Sequence, residues 1–186
     1  MKFATTAAER VAILVASLAL SIGLIGLLSG FFAGRDPAGV AGGAPPVGLK
    51  FRDLGHAHLQ PGELRAPYDS DPPTSGAHVP EPVLHGVGPI NNDQLLQALE
   101  VGDVVLVYGA GHPPAALKAL ANNVAGSFSP ALAAAGQAVI LTPRPGTRGV
   151  TALAWTRMLR VRSAQDPLLA QFAQEFLGRG ASSAGR

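Results

Sequence analysis

The sequence predicts a small α+β (or α/β) sandwich of three to four strands with helices packed on the sheet, preceded by one transmembrane helix. Three observations carry this. A charge-free apolar run, Val11 to Gly34, stands close to the N-terminus. A stretch crowded with Pro, Gly, His and Asp, Leu49 to Pro89, offers no room for a long helix. From Asn91 onward, short β-branched runs alternate with segments of helical periodicity, the pattern of helices laid on a sheet.

The apolar run has 24 residues, roughly 36 Å as a helix and enough to cross a hydrocarbon core of about 30 Å. A cleaved signal peptide has a shorter apolar core, usually about 7 to 15 residues. A core helix apolar on every side and this long is rare in a small domain. A retained anchor is therefore preferred over both. Lys2 and Arg10 precede the run and Arg35 follows it, so the positive-inside rule puts residues 1–10 in the cytoplasm as a stub. The expected layout is a single pass of the plasma membrane at 11–34, a linker at 35–48, an extracytoplasmic domain at 49–178 and a flexible tail at 179–186. Gly26 and Gly30 form a G-x-x-x-G pair, which suits close approach of two helices in a dimer.

Within the domain, one strand is expected near Gly48 to Leu54. Asn92 caps a helix over Asp93 to Glu100, with Leu95, Leu96 and Leu99 inward. Asp103 to Tyr108 is an apolar β-branched run and reads as a buried strand. Pro113-Pro114 opens a helix to about Asn123. Gln137 to Thr142 is a second strand in this half, closed by Pro143 and Pro145, and Val150 to Arg160 a third. Asp166-Pro167 starts the last helix, whose inward face is marked by Leu168, Phe172 and Phe176.

Composition excludes several classes of function. There is no cysteine, so disulfides, thiolate metal sites, dithiol redox chemistry and cysteine nucleophiles are all absent. The net charge is +2 with only 14% charged residues and 5% aromatics. Scattered charge with few rings does not make a nucleic-acid surface.

All five histidines fall between His56 and His112, four of them (His56, His58, His78 and His85) within thirty residues of loop. Neutral imidazole is the commonest metal ligand, and loops on a rigid sheet are where ligands gather. His56 and His58 are two residues apart and would share a side of an extended chain. Asp69, Asp71 and Glu81 offer oxygen ligands. No spacing matches a strong zinc signature, and loop histidines bonded locally or left to solvent are the plainer alternative. Asp71-Pro72-Pro73-Thr74-Ser75-Gly76-Ala77-His78 is the densest motif. Its prolines stiffen the chain and Gly76 permits a positive φ, so it either aims His78 into a cleft or covers the sheet. Ser75 has no strand-to-helix elbow around it, which disfavours a nucleophile. Trp155, the lone tryptophan, sits in an apolar run and reads as core.

Tyr68, the Asp-Pro-Pro-Thr-Ser-Gly-x-His motif ending at His78, and Trp155 together resemble domain of unknown function family 3105, a bacterial family of mostly membrane-anchored extracytoplasmic proteins. The resemblance spans about Gly55 to Leu177. Similar family members carry His-x-Leu-Glu-His-Gly before a strand ending in Tyr. The matching positions here are Gln97-Ala98-Leu99-Glu100-Val101-Gly102. Glu100 and Gly102 are kept, while Gln97 and Val101 replace both histidines. The resemblance implies a metal set of at most His58, His78 and Glu100, with His56 or His85 as substitutes, and brings no established activity. The expectation is a membrane-anchored binding or accessory module that takes a transition metal, zinc or copper, or serves an envelope protein partner. A structural or interaction protein with a degenerate site is the alternative, and a metal-dependent enzyme ranks last.

Overall fold

The computed structural model describes residues 47–109 and 111–181. The chain divides into two units, Met1–Pro45 and Pro46–Arg186. The expected anchor at 11–34 and the Gly26–Gly30 pair lie outside the described residues. Among the described residues no helix is long and apolar enough to cross a membrane.

The second unit is an α+β domain. In chain order it has β1 (Leu49–Lys50), α1 (Asn92–Val101), β2 (Val104–Tyr108), α2 (Ala115–Ala125), α3 (Pro130–Ala134), β3 (Val139–Pro143), β4 (Val150–Ala154), β5 (Arg157–Val161) and α4 (Pro167–Phe176). The five strands form one mixed sheet in the order β1-β5-β4-β2-β3, with β2 and β3 parallel and the other pairs antiparallel.

Strand β2 explains the layering. Val104, Leu106 and Tyr108 join one apolar cluster with Leu117 of α2 and Leu169, Phe172 and Phe176 of α4. Val105 and Val107 join a second cluster with Leu95, Leu96 and Leu99 of α1, Ala133 of α3, and Trp155. Alternate residues of a strand point to opposite faces. Both faces of β2 are covered, and so its sequence is an unbroken apolar run.

The differences from the sequence expectations have local causes. Five strands form, not three or four, because Val150 to Arg160 folds back on itself as the β4–β5 hairpin. Trp155 and Thr156 make its turn, with Thr156 at φ 58°. A non-glycine residue rarely adopts this conformation. Here both its backbone groups are engaged, the amide donating to Thr74 O at 2.9 Å and the carbonyl accepting from Phe51 N at 2.9 Å. Trp155 is still core, at 3% exposure, but it reaches the core from a turn. Helix α1 begins one residue earlier than expected, and its cap is Asn91. The Asn91 side chain accepts from Gln94 N and the Gln94 side chain accepts from Asn91 N, a reciprocal capping box. Helix α3 is not legible in the sequence because five residues carry no periodicity. In α4 the buried residues are Leu169, Phe172, Ala173 and Phe176, and Leu168 is 42% exposed. The inward stripe therefore starts at Leu169. The strand expected near Gly48 to Leu54 pairs only at Leu49 and Lys50.

Residues 51–90 contain no helix, as expected, and lie over the second cluster through Phe51, Tyr68, Val83 and Ile90. Part of this stretch also covers the exposed edge of β3. Leu141 N donates to Gly86 O at 2.9 Å and Gly88 N donates to Leu141 O at 3.1 Å. This pairing at Leu141 interrupts the row of backbone groups that the edge would offer to another chain. Val47 packs against the first cluster, and Ala181 against the second.

Candidate metal centre

The loop builds the centre by pairing two of its own segments. Gly76 N donates to Gly55 O, His78 N to Ala57 O, and Leu59 N to His78 O, at 2.8, 3.1 and 2.9 Å. This short parallel bridge sets His58 beside His78. Their rings meet edge to face with centroids 5.4 Å apart. Helix α1 brings Glu100 to the same place from a distant part of the chain. Glu100 Oε2 lies 3.0 Å from His58 Nε2 and 3.1 Å from His78 Nε2. One ligand atom from each of the three residues falls within 4.8 Å of the others, and among the described residues this is the one such group.

The chemistry of His78 gives the arrangement its meaning. The residue is completely buried. Its Nδ1 lies 3.0 Å from the Gly76 carbonyl. A carbonyl can only accept, so Nδ1 carries a proton, and Nε2 is the ring atom turned toward Glu100. Among the described residues Nε2 has no hydrogen-bond partner, although Glu100 Oε2 is at 3.1 Å. That oxygen is close, but it stands off the direction in which a ring N–H would point. Glu100 Oε2 is at the same time hydrogen-bonded to His58 Nε2 at 3.0 Å, and a proton or a cation held among the three side chains would satisfy Nε2. A histidine that donates its far nitrogen to a backbone carbonyl is also the usual arrangement of a metal-binding imidazole.

The residues around His78 hold it on both sides. Tyr68 Oη donates to Ala77 O at 3.1 Å, and Val79 N donates to Asp93 Oδ1 at 2.9 Å. Arg65 ties these two anchors together. Its Nη1 donates to Tyr68 Oη at 2.8 Å and to Asp93 Oδ1 at 2.6 Å, and its Nη2 donates to Asp93 Oδ2 at 3.1 Å. Burial alone would raise the Asp93 carboxyl, but the bonds from Arg65 and Val79 outweigh it and hold the group below the usual carboxylate value. The Asp93 bond raises Arg65 in turn, with Tyr68 adding to it. Gly76 has φ 129°, and a Cβ there would stand 3.0 Å from the Tyr68 ring, so the motif needs glycine at this point. Tyr68→Phe is expected to lower stability by about 1 kcal/mol through loss of the Ala77 bond. Urea unfolding measures this, and an unmoved midpoint would mean that the hydroxyl does not hold the loop.

The other expected site residues lie elsewhere. His56 is exposed, with its ring 6.2 Å from that of Trp155. His85 is exposed and lines a separate cavity with Leu84, Val87 and Ile90. Neither joins the three-residue group. Asp71 pairs with Arg144, and Glu81 accepts from Asn91 Nδ2. Ser75 is a backbone staple, its hydroxyl donating to Arg52 O and accepting from Leu54 N. Gln97 and Val101 line a cavity of about 280 Å³ that none of His58, His78 and Glu100 lines. Neither position belongs to the three-residue group. Arg65 and Asp93 have no signal in the sequence, because their partners are 3, 14 and 28 residues away.

The profile of the family described as "Protein of unknown function (DUF3105)" matches residues 60–185. No curated protein and no solved structure matches the chain. The chain belongs to the DUF3105 family.

Proposed function

We propose that this DUF3105 protein is a binding module that holds one transition metal ion, zinc or copper, on His58 Nε2, His78 Nε2 and Glu100 Oε2. The single observation that supports it is the buried Nε2 of His78, without a hydrogen-bond partner among the described residues, facing a carboxylate oxygen. Imidazole suits both metals. Metal–ligand bonds of about 2.0–2.2 Å set tetrahedral ligand atoms roughly 3.3 Å apart, close to the two His–Glu separations present here. The His–His edge has to shorten, and His58, with 49% of its side chain exposed, is the residue free to move. The charge-free run 11–34 supports carriage of this module outside the cytoplasm on a single-pass anchor.

Three protein ligands leave one coordination position for solvent, the pattern of reactive rather than closed structural zinc. This favours metal-assisted chemistry as the second reading. It ranks below binding because the neighbouring carboxylates are already committed, Asp93 to Arg65 and Val79 N, and Asp53 to Trp155 Nε1 and Gly55 N.

The test is elemental analysis of the full-length protein, purified in neutral detergent without a histidine tag and dialysed against zinc or copper, beside Glu100→Gln. About one metal per chain in the parent, falling at least tenfold in affinity in the variant, is the expected result. A parent that retains no metal would overturn the proposal and leave His58, His78 and Glu100 as an ion-paired scaffold for an envelope partner.

A further inference from the structure

The turn between β3 and β4 carries a second, chemically different feature. Arg144, Arg148 and Arg160 line one open cavity of about 330 Å³, together with Thr147 and Thr151. Asp71 is the only carboxylate among the residues that line it. Three guanidiniums in one cavity repel one another, and a single carboxylate leaves the cavity with a net positive charge.

The three arginines are not equivalent. Arg144 is held by Asp71 Oδ1 at 2.5 Å and Asn92 Oδ1 at 3.3 Å. Arg160 is held by the Asp71 carbonyl at 2.5 Å and by Met158 Sδ at 3.2 Å. Both are thereby oriented before any ligand arrives. Arg148 is exposed and has no hydrogen-bond or ion-pair partner among the described residues. Two fixed guanidiniums and one free one can present several N–H donors to a multivalent oxyanion. Guanidinium recognises phosphate oxygens through paired N–H bonds better than a point charge does.

The geometry points to an anion site at Arg144, Arg148 and Arg160 that takes a phosphate group, borne by a soluble phosphate compound or by an anionic lipid headgroup. The site is separate from His58, His78 and Glu100 and does not depend on a metal. Asp71 opens the Pro72-Pro73 segment that leads to His78. A bound phosphate would compete with Asp71 for Arg144 and would be felt at the start of that loop.

The experiment uses the full-length protein in neutral detergent, followed through the arginine Nε–H signals by NMR. One arm adds inorganic phosphate against chloride at matched ionic strength. The other adds a short-chain phosphatidylglycerol against the matching phosphatidylcholine. Saturable shifts of Arg148 and Arg160 with inorganic phosphate are expected for a soluble ligand, and shifts with phosphatidylglycerol alone for a headgroup. In either case Arg148→Gln should weaken the response about tenfold. Because Arg148 has no partner to lose among the described residues, the remaining amide spectrum of that variant should match the parent. No saturation in either arm, or the same response to chloride or in Arg148→Gln, would overturn the proposal.

Discussion

Replacing His78 with alanine is expected to abolish metal binding and to cost about 2–4 kcal/mol of stability in the metal-free protein. The cost has two sources. The side chain is completely buried, so truncation leaves a cavity in packed surroundings. It also deprives the Gly76 carbonyl of the Nδ1 proton that now satisfies it. His58→Ala removes a ligand that is half exposed and should lose metal affinity with little change in metal-free stability. The contrast separates ligation from packing. A ligand that binds only the folded state stabilises it by about 4 kcal/mol at a thousandfold excess over Kd. Added zinc should therefore raise the melting temperature of the parent and of neither variant. An equal rise in His78→Ala would show that the ion binds elsewhere.

The second large effect concerns Asp103 at the start of β2. The residue is 1% exposed. Its Oδ1 accepts from Ala138 N at 2.8 Å, and its Oδ2 has no partner among the described residues. Burial pushes the carboxyl up from 3.8 to about 7, against the smaller opposing pull of the Ala138 bond. A raised carboxyl means that the folded protein holds a proton which the unfolded chain has released, across the interval between those two values. Stability from this group is therefore complete below the unfolded value, declines as pH rises, and is fully lost above about 7. The loss is about 2–4 kcal/mol, since each tenfold change in proton affinity is worth about 1.4 kcal/mol and relaxation around the charge reduces the sum. Asp103→Asn keeps an oxygen for Ala138 N and cannot ionise. Denaturant unfolding across the mildly acidic to neutral range should show the parent falling and the variant falling less by that amount. Parallel curves would mean that water reaches Oδ2 and keeps the carboxyl near its ordinary value.

By itself the sequence determined what depends on near neighbours. The buried character of 103–108 follows from its own β-branched run. The cap at Asp166 with Pro167 at the first helical turn appears as expected, with Asp166 accepting from Leu168 N at 3.0 Å. Leu95, Leu96 and Leu99 lie inward because their spacing follows the helical period. The residues by themselves offer the loop histidines as candidate ligands, whereas Glu100 is nameable only through the resemblance to the family motif. What only the tertiary structure decided is which of them meet. His58 and Glu100 are 42 residues apart, and no periodicity reports a contact of that span. The same holds for the choice of His58 over His56: a two-residue spacing puts both on one side of an extended chain, yet one ring stands by His78 and the other by Trp155. The β4–β5 turn is hidden from the sequence for a related reason. Thr156 is not a turn-forming residue by its own preference, and its positive φ is held by Thr74 and Phe51 from distant loops. Local sequence sets local conformation through sterics and near hydrogen bonds. A metal site needs atoms within a few ångströms of one another, and only the packing of the 55–78 loop against α1 brings those atoms together.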